Sequence, residues 1–583
     1  MNVHSVSGKN WTSKEFNSDE VDFFKTNYFL DEIVAKLLSI RKIKKEEVEF
    51  FLKPTIKNIL PNPYVLKDMD NAIARAEKAI LNTEKIGVFG DYDVDGATST
   101  AILGKYFELL NIPFEIYIPD RKSEGFGPNE KAFLNFIDLG VNLIFTVDCG
   151  TLSYGPMDFA KKKNIDVIIL DHHQSETKLP SAHSIVNPNR FDDRSDLNYL
   201  CAAGVCFMFL IALNKRLRDH NWFSNNSTKE PELLNILDLV SLGTICDVVP
   251  LVGLNRAIVH QGLKIIKRKK NLGLKTLIEV SNIESNITSY HLGYVLGPRI
   301  NAGGRVGKST HGANLLLNQN PKDTFKLAVD LDTYNKERQI LEGELLKKIL
   351  NTNFEDSSDP VVILHGENWH EGIIGIIAAR IKEKFNKPAI IISVNKGIGK
   401  GSGRSIHGFD LGSTVIGGVQ SGILAKGGGH KMAAGFTIDV NKIDEFKKFV
   451  FKKFKSININ LEEKKNYYFD AEIGPSAINI DFFEKINLLA PFGSGNPEPR
   501  FVIRDVKLVN SKIVGEKHIK NVLIGSDSST LKTISFNTVE TELGSYLLKK
   551  NIKPFDIAGK LSLNEWRGQR NVEFIIDDIS VIK

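Results

Sequence analysis

Residues 86–96 read IGVFGDYDVDG: an apolar run of strand length, then carboxylates at alternate positions, Asp91, Asp93 and Asp95, closed by Gly96. In an open α/β sheet, ligands bind beyond the carboxyl ends of the strands, so side chains placed just after a strand point into that crevice. Two more apolar runs end the same way: Leu143–Val147 leads into Asp148-Cys149-Gly150, and Val167–Leu170 into Asp171-His172-His173. With Phe114–Ile118, these strands alternate with helical stretches such as Thr98–Leu110 and Asn129–Leu139. That alternation predicts a parallel sheet covered on both faces. A fourth acidic position, Asp247, follows the apolar helical stretch Leu233–Ile245.

Taken singly, each piece has a plain reading. An isolated DxDxDG is an Asx turn or a calcium-type loop, although this one lacks the distal Glu of an EF-hand. A lone Asp after a strand is usually a helix cap, and an isolated His pair is usually a surface feature. Their convergence changes the reading. Like-charged carboxylates about 4 Å apart cost about 4 kcal/mol per pair at an effective dielectric near 20. Such a cluster persists only with protons or cations. Carboxylate mixed with imidazole suits Mn²⁺, with Mg²⁺ where oxygen ligands dominate, and a pair of such ions suits phosphate-ester hydrolysis.

Outward from this unit, residues 1 to about 75 read as a polar leader with one helical stretch, Leu30–Leu52, and helical patterning follows over Asp70–Leu81. Pro321–Asn351 carries apolar residues at helical spacing and predicts a long connecting helix. A second α/β unit follows, with strand Val361–Leu364, helix Gly372–Phe385, strand Ala389–Val394 and two glycine-rich loops, Gly397–Gly403 and Gly427–Gly429. Lys-rich Phe446–Lys465 reads as a helix and linker. From about Asn466, short alternating runs (Phe501–Leu508, Leu531–Phe536, Phe555–Leu563, Val572–Ile576) predict a small β-barrel.

The bulk properties agree with a globular, multi-domain chain. It has 583 residues, 42% hydrophobic and 25% charged, enough for three to five domains at roughly 100–200 residues each. No apolar stretch approaches the roughly 20 residues of a membrane span, and the N-terminus lacks a signal-peptide core. The four Cys show no paired spacing, which points to a reducing cytoplasm rather than to disulfides or a zinc site. A net charge of +6 fits a polyanionic substrate without demanding one.

The runs DYDVDG, VDCG, DHH and GTICDVVP, in this order, resemble the DHH phosphoesterase superfamily. Downstream, GPRINAGGRVG (297–307), WHEGIIGIIAARI (369–381), GSGRSIHGFDL (401–411), GGGHKMAAGF (427–436) and LAPFGSGNPEP (489–499) resemble its branch of single-strand-specific exonucleases, which carry a DHHA1 domain. The resemblance runs from about residue 60 to the end. It implies two α/β domains, DHH (76–272) and DHHA1 (356–460), joined by a helical connector (273–355), with an N-terminal extension (1–75) and an OB-type barrel (461–583). It implies a two-metal 5′→3′ exonuclease that releases mononucleotides from single-stranded DNA in repair and recombination, using Mn²⁺ or Mg²⁺. It also implies a helicase and a single-strand-binding protein as partners. A monomer in the cytoplasm is expected.

Residue by residue, the resemblance assigns metal ligation to Asp91, Asp93, Asp95, Asp148, His172 and Asp247. Many members carry His at the position of Asp91. His173 matches a position tied to metal or to the scissile phosphate, and Asp171 reads as an orienter of the imidazoles. Ser402, Arg404, Gly429 and His430 are implied in binding the terminal 5′-phosphate. Among donors near the metals, Arg299 is the first choice for a phosphate contact, with Asn301 and Arg305 beside it; the plain reading of Arg299 is a surface ion pair. Arg121 and Phe126, on a loop joining two elements at the crevice, suit a nucleotide. On the barrel, Phe501 reads as core, while Trp566, Arg567 and Arg570 are candidate strand contacts. Two other readings remain at this point. One is an enzyme for short oligoribonucleotides or cyclic dinucleotides, which would not need the barrel. The other is an inactive replication scaffold, which would not need the clustered charge.

Overall fold

The computed structural model describes residues 4–121, 123–352, 359–457, 466–549, 553–566 and 569–581. Five parallel strands form the first sheet, in the order Phe114–Tyr117, Ile86–Gly90, Leu143–Val147, Asp166–Leu170, Ser184–Val186. The central strands are apolar on both sides because both faces are covered. Val88, Phe145 and Ile168 face one core, and Phe89, Ile144 and Ile169 face the other. Helix Val94–Leu109 is buried nearly all round, between the sheet and helices Ala202–Asp219 and Leu237–Cys246. The first core reaches further along the chain than residue 272. Leu296, Ile300, Leu315 and Leu331 all belong to it, so most of the expected connector packs on the first unit.

The long helix runs over Pro321–Leu350, started by the Asn320 cap and a proline in the first turn. Asp332 near its middle pairs with Arg299 at 2.9 Å, and Glu342 pairs with Arg380 of the second unit at 3.1 Å. Each unit is thus tied to its own section of one rod.

The second sheet has the order Lys426–His430, Ala433–Asp439, Ile398–Arg404, Ala389–Asn395, Val362–Glu367. Here the reading of 397–403 and 427–429 as loops is corrected: apart from Gly397, which belongs to the preceding turn, both lie in strands. The glycines serve packing rather than turning. A Cβ on Gly401 would sit 2.1 Å from the Phe436 ring, and one on Gly427 would sit 2.7 Å from Val415. Large neighbours fill the space that the missing side chains leave.

The C-terminal sheet closes as a five-stranded barrel. Phe501–Val514, His518–Ile524, Thr530–Ser535, Gln569–Val581 and Phe555–Trp566 pair in turn, and the last returns to the first. The expected polar leader in fact packs with the C-terminal domain. His4–Ser5 pairs with Gln569–Val581, and Asn10–Ser13 pairs with Asn466–Phe469. Asp578, fully buried, accepts hydrogen bonds from the Ser5 hydroxyl and from Trp11 Nε1. The single helix expected over Leu30–Leu52 is broken into Glu32–Ile40, a turn with Lys42 at φ 55°, and Val48–Leu52. The break lets Val34, Leu37, Leu38 and Val48 pack on Phe501, Ile503 and Phe574 in one core. No helix among the described residues is long and apolar enough to cross a membrane.

Phe24 sits in that shared core with no exposed surface. Phe24→Ala should therefore destabilise the full chain by about 3–5 kcal/mol in a denaturant melt. A leader that merely trails from the domain would show no change.

Candidate metal centre

Each acidic side chain is delivered by a strand end or a helix end. Asp91 follows strand Ile86–Gly90, and Asp93 caps helix Val94–Leu109 by accepting from the Gly96 amide at 3.1 Å. Gly96 is required here, since a Cβ would lie 2.5 Å from the Asp91 carbonyl oxygen. Asp95 lies in the first helical turn. Its two oxygens accept from the Ala202 amide (2.6 Å) and the Ala203 amide (3.0 Å), at the start of helix Ala202–Asp219. Asp148 follows strand Leu143–Val147 in the left-handed region, φ 60°. Asp247 caps the end of helix Leu237–Cys246, which can approach Asp95 closely because residue 243 is glycine: a Cβ there would meet Asp95 Oδ1 at 2.7 Å.

His172 lies at the centre. Its Nε2 is 3.2 Å from Asp148 and 3.7 Å from both Asp95 and Asp247. Three groups of donors are close enough to hold an ion: Asp91 with Asp93 and Asp148, Asp95 with His172 and Asp247, and Asp148 with His172 and His173. Asp148 and His172 are each shared by two groups. The test of fit is in the buried polar atoms. Asp91 Oδ1 and His172 Nε2 are buried and make no hydrogen bond among the described residues. Buried polar atoms without partners are uncommon in folded proteins and ask for an ion or water. Hard oxygen donors plus one imidazole match Mn²⁺ or Mg²⁺.

The electrostatics point the same way. Burial, then Asp93, pushes Asp91 up, and burial with the surrounding carboxylates pushes Asp148 well up. Burial, then Asp95 and Asp93, pushes Asp247 up to about 8. Asp171 is the exception. Burial opposes its ionisation, but His173 and the hydrogen bonds it accepts win, and the net direction is down. It takes the His172 amide at 2.7 Å, the Thr151 amide at 3.1 Å and His173 Nδ1 at 2.8 Å. In turn Asp171 lifts His173 to about 9 against the effect of burial.

Two supports escaped the sequence reading. Asn187 donates to the His173 carbonyl (2.8 Å), and Asn189 donates to the His172 carbonyl (2.5 Å). They follow the short strand Ser184–Val186, so the rule that found Asp148 applies to them too once that strand is recognised.

Arg121, Arg305 and Arg404 gather at the edge of the cluster. Arg121 lies 5.2 Å from the Tyr92 ring, Arg305 donates to the Gly372 carbonyl at 3.1 Å, and Arg404 donates to the Gly403 carbonyl at 2.9 Å. Burial first, then Arg121 and Arg404, pulls Arg305 down to about 10; burial and Arg121 also lower Arg404. None of the three has a carboxylate partner among the described residues. Arg404, Ala433 and His430 form one row across three strands, and Ser402, Gly435 and Gly428 form another on the same face. Above Gly428 the space is open. Gly429, on the opposite face, packs instead on Ala434.

Other candidates lie elsewhere. The Arg299 guanidinium pairs with Asp332 and donates to the Val295 carbonyl at 2.7 Å, the arrangement expected of an ion pair. Asn301 is half-buried on helix Gly297–Val306, which also carries Arg305. Phe126 is 59% exposed and 5.8 Å from the His173 ring. Phe501 is core, and Arg570 pairs with Glu484 and Glu565. Trp566 ends its strand with its side chain outside what is described, and Arg567 lies outside the described residues. A stacked pair that the sequence did not suggest, Tyr290 and Tyr294, is exposed with ring centroids 5.3 Å apart.

A parallel sheet ending in a carboxylate–imidazole cluster, faced by a second α/β unit, defines a phosphoesterase of the DHH–DHHA1 class. Residues 85–244 match the N-terminal domain of the DHH family, 358–456 the DHHA1 domain and 469–578 the RecJ OB domain. The chain belongs to the RecJ family. It is 31% identical to the single-stranded-DNA-specific exonuclease RecJ of Bacillus subtilis, over 99% of this chain and 71% of that one. It is 32% identical to the Escherichia coli protein of the same name, over 94% and 96%. The crystal structure of Thermus thermophilus RecJ in complex with Mn²⁺ superposes with a TM-score of 0.80 at 26% identity, covering 98% of this chain and 80% of that one.

The raised carboxyls set a pH dependence. A group whose folded pKa is raised contributes stability below its unfolded value and loses it as pH rises through the folded value. Asp247, ordinarily near 4, loses its contribution up to about 8, and His173 acts in the same sense up to about 9. Asp171, shifted down, is constant over that window. In EDTA the melting temperature should therefore fall between about pH 5 and 8.5. Mn²⁺ should restore it, and Asp247→Asn should flatten the metal-free slope. A metal-free profile that rises with pH would contradict this electrostatic reading.

Proposed function

We infer that the chain is a two-metal 5′→3′ exonuclease that hydrolyses single-stranded DNA to 5′-mononucleotides, with a role in DNA repair and recombination. The carrying observation is the buried cluster itself: five carboxylates and His172 converge with unpartnered atoms at its centre. Asp91, Asp93 and Asp148 would hold one ion, and Asp95, His172 and Asp247 the other. Two divalent ions held by these residues would supply activation of a water, orientation of the phosphoryl group and neutralisation of charge on the leaving oxygen.

The residues around them have separable tasks. Asp171 occupies His173 Nδ1, which leaves Nε2 as the ring donor for a scissile-phosphate oxygen. Asp95, held by two helix amides, ties helix Val94–Leu109 to the start of helix Ala202–Asp219. Arg404, Ser402 and His430 face a bare glycine floor, where a terminal phosphate can be bound by charge-assisted hydrogen bonds. Arg305 and Arg121 lie between that floor and the cluster, and exposed Phe126 offers a face to a base. A terminal phosphate held there would make the enzyme an end-reader that cuts one nucleotide at a time. The closed barrel supports a substrate longer than a dinucleotide.

The test uses single- and double-stranded DNA labelled at either end, with Mn²⁺ or Mg²⁺. Mononucleotides should appear from the 5′ end of the single strand only. Asp148→Ala should abolish release; an unchanged rate would sink the metal assignment. Arg404→Ala should reduce the preference for phosphorylated ends by about 10–100-fold, from about 1.5–3 kcal/mol for a charged hydrogen bond. Equal losses on phosphorylated and unphosphorylated ends would remove Arg404 from the phosphate site.

A further inference from the structure

The run LAPFGSGNPEP (489–499) stands out in the sequence, yet none of it reaches the metal cluster. It leads into the barrel, and it lies against the loop that follows Asp247. The Leu251 amide donates to the Ser494 carbonyl at 2.8 Å. Gly493 packs on Leu251, where a Cβ would come within 2.9 Å, and Gly495, at φ 72°, packs on Pro250.

Two buried side chains fix this turn. Asn496, 1% exposed, donates to the Leu489 and Pro491 carbonyls and accepts from Arg41 Nε at 2.8 Å. Arg256, 3% exposed, donates to the Leu489, Ala490 and Pro491 carbonyls and to the Phe51 carbonyl. Its guanidinium is a buried cation whose hydrogen bonds run to main-chain carbonyls, and it connects the catalytic unit to both the N-terminal and C-terminal segments.

What the turn holds is a strained corner. Val248, directly after Asp247, has φ 62° and is 69% exposed. A β-branched residue in the left-handed region is an outlier, and such strain persists only where the surroundings over-determine it. Val248's own side chain, mostly in solvent, supplies little. The restraint comes from the helix end before Asp247 and from the Pro250–Leu251 anchorage after it, where Asn255 adds a hydrogen bond to the Pro250 carbonyl at 3.0 Å.

We propose that the Gly493–Asn496 turn is a positioning clamp for Asp247. It holds the strained Val248 corner and so keeps the Asp247 carboxylate beside His172 for the metal. The proposal rests on the reading of Asp247 as a ligand, and it makes the barrel-side segment part of active-site assembly, apart from any contact with DNA.

The test measures Mn²⁺ binding to the full chain, by Mn²⁺-dependent thermal shift and by electron paramagnetic resonance of free Mn²⁺, without substrate. Asn496→Ala should raise the half-saturating Mn²⁺ concentration about two- to tenfold, the range of coupling between contacting residues. Adding Val248→Gly should restore it, because glycine takes φ 62° without strain and no longer needs the clamp. If Asn496→Ala does not fold, Gly495→Ala, which presses on Pro250, is read in the same way. A lowered melting temperature with unchanged Mn²⁺ affinity would overturn the clamp, as would a loss that Val248→Gly fails to relieve. If Asp247→Asn itself leaves Mn²⁺ affinity intact, the ligand assignment falls and the clamp with it; weakened Asp247→Asn beside an unaffected Asn496→Ala overturns the clamp alone.

Discussion

Repulsion among buried carboxylates is the constraint from which the rest of the structure follows. Asp91, Asp95 and Asp148 are nearly inaccessible, and Asp247 is half-buried beside them. Left to themselves, such groups would separate or take up protons. The fold prevents separation by fixing each one from its backbone. Asp91, Asp93, Asp148 and Asp247 stand at the ends or caps of rigid elements, and Asp95 is pinned by two amides from a different helix. Partial positive charge at that helix N-terminus offsets part of its charge. The remaining charge is what two divalent cations neutralise, so the same repulsion that weakens the metal-free protein gives the metals their affinity.

The centre and the surrounding cradle balance each other in sign. Arg121, Arg305 and Arg404 come from three separate stretches of chain and meet without acidic partners among the described residues. Bringing partly buried guanidiniums together is unfavourable for the same reason as bringing carboxylates together. The long helix Pro321–Leu350 makes the spacing between them reproducible, since its pairs with Arg299 and Arg380 tie it to each unit at a fixed point.

The fold was legible wherever a local pattern decided it. Leu143–Val147 matches its predicted strand residue for residue because it is buried on both faces and punctuated by Asp148-Cys149-Gly150. The cluster was legible for a related reason: strand ends in a parallel sheet are adjacent in space, so acidic residues after successive strands must meet. Where tertiary packing decides, the pattern misleads. Gly401 and Gly427 look like loop residues, and only the Phe436 and Val415 side chains that fill their places show otherwise. The N-terminal residues look polar because they supply a thin apolar stripe, Phe24, Val34, Leu37 and Leu38, to a core whose other half lies more than 400 positions away. The pairing of Arg299 with Asp332 was not legible, because the partner is brought to it by a helix whose packing no local sequence signal encodes.

The two strained carboxylate corners show how such a site can be assembled at all. Asp148, at φ 60°, is held within its own unit: its amide donates to the Leu170 carbonyl at 3.1 Å, locking it to the next strand. Asp247 has no such neighbour. Its helix simply ends, the chain turns through Val248, and no strand among the described residues stands alongside to take up the turn. A metal site that needs a fixed carboxylate where a helix ends must also hold the turn that follows it. Here the structure packed on that turn is the Asn496-stapled segment that begins the barrel. By this logic the N-terminal and C-terminal segments share one core because they share one task, giving the Asp247 loop a wall to stand against.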